Sequence, residues 1–275
     1  MTSGKESIIA DFFHTIGPEI ISLTKRSLDT NSVSVEKKHS SDFATQLDID
    51  VERYITAEIQ KAFAGDIILA EEEHRDTPVG EGRVWIIDPI CGTNNLGRGI
   101  AAYCSNIALA VDGELVASCV VDLAQHEYYW STGGGVIYRG NHMYEPQKPV
   151  SGTVVDVDFG CIPELPQAQQ ASHSAAVRWL EVHTDYVFVS FNTSLSFLYV
   201  ALHRLDGVMN IAVNAWDVAA AAFLGTQSGC VVSQSSGEQW ELESGNIVMA
   251  IDEKTHSALV EALESGFSEK GSEKQ

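Results

Sequence analysis

Residues 84–95 read VWIIDPICGTNN, and this stretch is the most informative part of the chain. The consecutive apolar residues VWII predict a strand that is buried on both faces. Asp88 follows directly, and a carboxylate there is costly to bury unless it is paired or binds a metal ion. Pro89 has no backbone N–H, so we expect regular strand pairing to stop at that point. The stretch therefore predicts an acidic site at the end of a buried strand.

Three further segments place acids where helices or strands begin or end. LAEEEH puts Glu71 after an apolar strand, DFATQLDID puts Asp48 at a helix start, and NAWDVAAAAFLG puts Asp217 at the start of an alanine-rich helix. Taken singly, such acids are typical of helix caps or solvated faces. Taken together with Asp88, they offer the hard oxygen ligands that suit Mg²⁺ or Mn²⁺ rather than zinc.

Apolar periodicity predicts two amphipathic helices, at about 6–28 and 48–63, before the first strands. Asp112-Gly113 predicts the turn of a β-hairpin. Strands and helices alternate further along, which indicates a layered α/β protein. We predict an N-terminal α+β half over 1–150 with most of the acids, a C-terminal α/β half over 151–267 with Asp217, and a disordered tail over 268–275.

The composition restricts the partners that we expect. The 275 residues carry a formal net charge of −21, which repels nucleic acid and anionic membranes. A phosphorylated substrate would therefore need imported positive charge, and bound metal is the usual source. The five cysteines show no CxxC pair and favour free thiols in a reducing compartment. With no apolar run able to span a bilayer and no signal-peptide pattern, we expect a cytoplasmic protein.

Four motifs together resemble the inositol monophosphatase family. WIIDPICGTNNL is similar to its Asp-Pro-Ile-Asp-Gly-Thr signature, and NAWDVAAAAFLGTQSGC to its Trp-Asp-x-Ala-Ala signature. DFATQLD and AEEE resemble two shorter family segments, in family order over about residues 35–250. The resemblance implies a layered αβαβα sandwich, a homodimer, and a phosphatase that uses Mg²⁺, with Mn²⁺ as an alternative, and a water molecule activated by the metal.

The resemblance also implies roles for individual residues. Glu71, Asp88 and the Ile90 carbonyl would hold one metal ion, and Asp88 and Asp217 would hold a second. The remaining roles fall to residues that handle water and phosphate: Asp48 and Thr93 to orient and deprotonate the water, with Glu71 as a further catalytic residue, and Gly92, Thr93, Lys37 and Asn210 to bind the substrate.

The chain departs from the family pattern at the second metal. Cys91 occupies the position of an acid, and a thiol serves Mg²⁺ poorly. Cys91 is therefore a small structural residue, a ligand for a softer metal such as Zn²⁺ or Mn²⁺, or an engineered change. Asn210 and the segment 191–193 also differ from the inositol-specific pattern. We predict a phosphomonoesterase acting on a small sugar, polyol or nucleotide phosphate. The alternative is a non-catalytic or repurposed family member that binds or regulates.

Overall fold

The computed structural model describes residues 3–29, 35–37, 43–147, 151–159 and 162–268. A 3₁₀ turn spans Ile162–Glu164, and the α-helices are α1 Ser3–Asp29, α2 Gln46–Ala62, α3 Thr93–Gly97, α4 Gln167–His183, α5 Leu195–Ala201, α6 Ala215–Gln227 and α7 Glu253–Ser268. The strands are β1 Val35–Lys37, β2 Phe43–Thr45, β3 Ile67–Ala70, β4 Arg83–Cys91, β5 Cys104–Val111, β6 Glu114–Asp122, β7 Glu127–Ser131, β8 Ile137–Arg139, β9 His142–Tyr144, β10 Val154–Val157, β11 Val187–Val189, β12 Gly207–Asn210, β13 Val231–Ser233 and β14 Ile247–Ala250.

These elements form five layers. Strands β3 to β9 lie side by side in one sheet, and β11-β10-β12-β14-β13 form a second sheet. Helices α1 and α2 cover the outer face of the first sheet, and α4 and α7 cover the outer face of the second. Helices α5 and α6 lie between the two sheets. The predicted αβαβα sandwich is confirmed.

Strand β4 is apolar at consecutive positions because both of its faces are covered. Val84 and Ile86 pack in the middle layer beside α5 and α6, whereas Trp85 and Ile87 pack under α1 and α2. This alternation is the two-residue period of a strand. On this period Asp88 points toward the middle layer, where α6 begins.

The predicted elements are found with small differences. The Asp112-Gly113 turn joins β5 to β6, and both residues have positive φ, as a two-residue hairpin turn requires. The predicted helix near 163–180 begins only at Gln167, because Pro166 disfavours the helical conformation at Leu165, the residue before it. The predicted loop before α2 contains the short pair β1–β2.

The predicted boundary near residue 150 stays a prediction, because residues 148–150 lie outside the described part of the chain. The predicted tail also lies outside them, apart from Ser268, where α7 ends. Among the described helices, none is both long enough and apolar enough to cross a membrane.

Helices α4 and α7 approach closely at one glycine. A Cβ added to Gly266 would overlap the Ser172 carbonyl oxygen and lie 3.2 Å from the Ala176 nitrogen. Both are backbone atoms of α4, so neither can move away without shifting the helix.

We therefore expect Gly266→Ala to lower the free energy of unfolding by about 1–3 kcal/mol, the usual cost of overpacking. This loss would occur although alanine is favoured over glycine in a helix by about 1 kcal/mol. Urea denaturation of the variant measures it. Ser257→Ala, at an exposed position of the same helix, is the control and should be close to neutral. An unchanged or raised stability for Gly266→Ala would contradict the close packing.

Candidate active site

A β-bulge at the end of β4 brings Asp88 and Cys91 to the same face of the sheet. Asp88 lies opposite Asn106 of β5, and Cys91 lies opposite Cys104, so three steps along β4 match two steps along β5. Without the extra residue, positions three apart would point to opposite faces. Cys91 instead packs in the middle layer. Pairing therefore resumes beyond Pro89, whereas the sequence predicted that it would stop.

Asp217 comes to the same place from helix α6. It lies in the first turn of the helix, where Asn214 N donates to Asp217 Oδ2 over 2.7 Å in a capping box. Ligand atoms of Asp88, Cys91 and Asp217 lie within 4.8 Å of one another. The helix cap that Asp217 makes and its position beside Asp88 are thus compatible, because a carboxylate has two oxygens.

The Asp88 carboxylate is the most costly group of this cluster. It is 1% exposed, and within the described chain neither oxygen makes a hydrogen bond of normal geometry. Burial raises its pKa well above the ordinary range, and the nearby Cys91, Glu71 and Asp217 raise it further. A buried acid among other acids is stable when ionised only if a cation neutralises it. The donors therefore fit a divalent cation.

Glu71 reaches the cluster because β3 runs parallel to β4 and ends beside it. Ala70 is the register partner of Ile87, and Glu71 N donates to Ile87 O over 3.2 Å. The Glu71 side chain is 18% exposed and lies 3.6 Å from Arg75. The predicted ligand set of Glu71, Asp88 and the Ile90 carbonyl contains oxygen atoms alone, whereas the observed cluster of Asp88, Cys91 and Asp217 includes a sulfur.

Thr93 and Asp48 lie in direct contact. Thr93 Oγ1 is 2.8 Å from Asp48 Oδ1 and 3.0 Å from the Ile90 carbonyl oxygen. Asp48 is 1% exposed in the first turn of α2. Its hydrogen bond with Thr93 joins the outer helix layer to the end of β4, across 45 residues of sequence.

Gly92 precedes α3 with a backbone conformation that favours glycine. Its φ is +94°, and an added Cβ would lie 2.8 Å from the Ala102 carbonyl oxygen. The backbone at Gly92 and Thr93 therefore turns sharply next to Asp88. The N–H groups in the first turn of a helix have no partner within that helix.

Asn210 and Lys37, both predicted to bind substrate, remain predictions. Asn210 is 8% exposed, and its amide Nδ2 donates to Asp158 Oδ2 over 3.0 Å while its Oδ1 accepts from Ala212 N over 3.0 Å. Both ends of the amide are thus engaged within the protein. The backbone of Lys37 lies in β1, but its side chain is outside the described residues.

The segment after β11 closes over Cys91. Ser194 N donates to Cys91 Sγ over 3.1 Å, and Thr193 Oγ1 donates to the Cys91 carbonyl oxygen over 3.2 Å. The neighbouring Cys104 thiol, followed by burial, raises the pKa of Cys91 well above its ordinary value. The segment 191–193, which differs from the family pattern, thus lies against Cys91, which also differs from it.

Sequence reasoning missed residues that form hydrogen bonds to the segments around the site. Glu52 is fully buried and accepts the backbone N–H groups of Glu72 over 2.7 Å and Glu73 over 2.8 Å, which fixes the turn after Glu71. Its spacing of four residues from Asp48 on α2 was a signal that could have found it. Asn106 Nδ2 donates to Ser194 Oγ over 2.7 Å, and no local pattern could have revealed a contact across 88 residues.

Comparison with known proteins agrees with this architecture. The sequence profile of the inositol monophosphatase family matches residues 9–267. The chain belongs to the inositol monophosphatase family. An inositol-1-monophosphatase of Mesorhizobium japonicum is 30% identical over 90% of this chain and 92% of its own. The Nus factor SuhB of Vibrio cholerae is 26% identical over the same shares of the two chains.

Solved structures show the same fold at lower identity. An IMPase/NADP phosphatase complexed with Mg²⁺ and phosphate superposes with a TM-score of 0.75 at 18% identity, covering 89% of this chain and 90% of its own. The inositol monophosphatase fold is therefore shared, and the relatives' names include both phosphatases and a Nus factor.

A second buried acid supports the segment that covers Cys91. Asp156, at 0% exposure in β10, accepts the Phe191 N–H over 2.9 Å. Burial raises the pKa of Asp156 to about 7, although the Phe191 hydrogen bond opposes the rise. An unfolded chain would ionise this group near pH 4.

The raised pKa predicts a pH-dependent stability. The contribution of Asp156 is fully present below about pH 4, where the carboxyl is protonated in both states, and is lost as the pH rises through about 7. Asp156→Asn should therefore gain stability relative to the native chain between pH 4 and pH 8, by on the order of 3 kcal/mol. Urea denaturation at both pH values measures the difference, with exposed Asp185→Asn as the control. Parallel pH profiles for the native chain and Asp156→Asn would refute the raised pKa.

Proposed function

We propose that this chain hydrolyses phosphate monoesters of a small sugar, polyol or nucleotide with the help of bound Mg²⁺, for which Mn²⁺ is an alternative. The observation that carries the proposal is the Asp88 carboxylate, 1% exposed and without a normal hydrogen bond in the described chain, among Glu71 and Asp217. Such an arrangement costs stability in the absence of a cation, so a role in binding one explains why it is tolerated. The phosphate and Mg²⁺ of the related IMPase/NADP phosphatase support it.

The metal ligands in this proposal are divided between two positions. Glu71, Asp88 and the Ile90 carbonyl would hold one ion, and Asp88 and Asp217 would contribute to the other. Bound divalent ions lower the pKa of water, neutralise phosphate and stabilise the leaving oxygen. Without that charge, a protein with a net charge of −21 would repel a phosphate dianion.

Asp48 and Thr93 act on the attacking water. Thr93 Oγ1 donates to Asp48 Oδ1, so its lone pairs are directed to accept a proton from the water molecule. As the water oxygen bonds to phosphorus, its proton passes to Thr93 and the Thr93 proton moves to Asp48. The ester P–O bond then breaks, and the alcohol leaves after its oxygen takes up a proton from solvent.

The backbone beside Gly92 binds the phosphate group. The family resemblance assigns phosphate binding to the backbone N–H groups of Gly92 and Thr93, which lie at the sharp turn where α3 begins. A side chain at position 92 would contact the Ala102 carbonyl and distort this backbone.

The substrate is not inositol phosphate by preference in this proposal. An acid that accepts sugar hydroxyls in inositol-specific relatives is replaced by Asn210, whose amide is engaged by Asp158 and Ala212. The substrate is thus a small phosphorylated metabolite, and we propose a cytoplasmic homodimer on the basis of the family resemblance.

We expect the chain to release phosphate from at least one member of a phosphate-ester panel in the presence of Mg²⁺. Excess EDTA should abolish the activity. Asp88→Asn should lower kcat by at least about 100-fold, because Asp88 contributes to both metal positions. Malachite-green detection of phosphate measures the rate, and Asp185→Asn, an exposed acid away from the site, is the control.

Full activity in EDTA would contradict the metal mechanism. Activity of Asp88→Asn equal to that of Asp185→Asn would contradict the assignment of Asp88. Thermal unfolding of each variant shows whether a loss of activity reflects a loss of folding.

A second candidate function is non-catalytic binding or regulation. Two observations favour it: Cys91 replaces a metal-binding acid, and a 26% identical relative carries the name Nus factor. This alternative predicts no hydrolysis anywhere on the panel with Mg²⁺ or Mn²⁺, while the fold stays intact. Asp48, Glu71, Asp88, Thr93 and Asp217 are all retained, which favours catalysis.

A further inference from the structure

We propose that the position formed by Asp88, Cys91 and Asp217 selects a thiophilic divalent ion, Zn²⁺ in preference to Mg²⁺, so that the two metal positions of the site differ in kind. The inference rests on the proposed metal-dependent function and concerns the identity of the second ion. The three residues offer two carboxylate oxygens and one sulfur within 4.8 Å of one another.

The geometry directs the sulfur into the cluster. The bulge in β4 places Cys91 on the same face as Asp88, opposite Cys104 of β5. Cys91 is only half-buried, whereas Cys104 is fully buried, so an ion can reach the first sulfur more readily. The Ser194 N–H donates to Cys91 Sγ over 3.1 Å, and this hydrogen bond stabilises the negative charge of a metal-bound thiolate.

An independent observation points to a cation at the same place. Asp88 is 1% exposed, and within the described residues neither of its oxygens makes a normal hydrogen bond. The cysteine therefore does not stand alone: a buried, unsatisfied carboxylate faces the same cluster.

The donor chemistry selects the ion. Zn²⁺ accepts thiolate at ~2.3 Å and carboxylate at ~2.0–2.2 Å, so two ligand atoms on one tetrahedral ion lie about 3.4–3.6 Å apart. The three ligand atoms lie within 4.8 Å of one another, so pairs of them would move together by up to about 1.3 Å when the ion binds. Mg²⁺ instead demands octahedral oxygen ligation at ~2.0–2.1 Å and binds sulfur poorly.

Three protein ligands leave one position of a tetrahedral ion open for water or a phosphate oxygen, as in catalytic zinc sites. When sulfur bonds to the ion, the thiol proton leaves to the buffer. The neighbouring position, with Glu71, Asp88 and the Ile90 carbonyl, offers oxygen atoms alone and remains suited to Mg²⁺.

Cobalt binding provides a test that does not depend on activity. The metal-free native chain is titrated with Co²⁺, and thiolate ligation is read from the near-ultraviolet charge-transfer absorption. We expect this band to saturate at one ion per chain, to be lost on adding equimolar Zn²⁺, and to persist in excess Mg²⁺. Cys230→Ser, which removes a buried thiol near the opposite end of α6, should keep the band.

Variants at position 91 identify the ligand. Cys91→Ser and Cys91→Asp should both lose the band. Cys91→Ser should also lower the affinity for Zn²⁺ by about 100-fold, the upper range for losing a group that supports a metal. Cys91→Asp should instead bind Mg²⁺ more tightly. If the band persists in Cys91→Ser, or if Mg²⁺ displaces Co²⁺ as readily as Zn²⁺ does, the proposal is overturned.

A measurement on the native chain guards against variants that fail to fold. Zn²⁺, but not Mg²⁺, should protect Cys91 from alkylation, as mapped by mass spectrometry, and equal protection by both ions would overturn the proposal. Phosphate release in Mg²⁺ without a cobalt band leaves the proposed function standing and removes this inference. A cobalt band without hydrolysis of any ester supports this inference and contradicts the proposed function.

Discussion

The site depends on one extra residue in strand β4. Between Asp88 and Cys91 the strand takes three steps while β5 takes two, so two side chains that would point apart share one face. That face meets the first turn of α6, where Asp217 lies, and β3 delivers Glu71 from the side. This arrangement destabilises the fold, because the Asp88 carboxylate is 1% exposed and lies among other acids. The surrounding structure must therefore hold it in place. The cation that we propose here would relieve this repulsion and so stabilise the fold.

Residues that pack against the site hold its acids in place. Glu52 holds the turn after Glu71 through two backbone N–H groups, and Asp48 holds Thr93. Asn106 and Asp156 hold the segment that contacts Cys91. These contacts join elements from several of the five layers, so the geometry of the site is a property of the assembled sandwich.

Family membership fixes the fold, whereas the chemistry of this member depends on a few positions. The acids expected of the inositol monophosphatase family are retained at 48, 71, 88 and 217, but the acid after Pro89-Ile90 is a cysteine. The departure is local, because the bulge, the Gly92 turn and the capping box around it are intact. A change confined to one ligand is what the proposed change of bound ion requires, whereas a site decaying without function would be expected to lose several of its acids.

The sequence by itself determined the layered α/β fold, most of its helices and strands, and the four acids, because these follow from local periodicity, turn chemistry and motifs. The roles of those residues remain predictions that the proposed experiments test. The family motif implied that Cys91 lies near Asp88, but only the tertiary structure showed how: Pro89 predicted an end to pairing, whereas a bulge set by the register with β5 brings the two residues to one face. It also decided that the Asn210 amide is engaged within the protein, and that Glu52, Asn106 and Asp156 support the site. Such contacts join residues far apart in the chain, and their energies depend on burial, which no local pattern encodes.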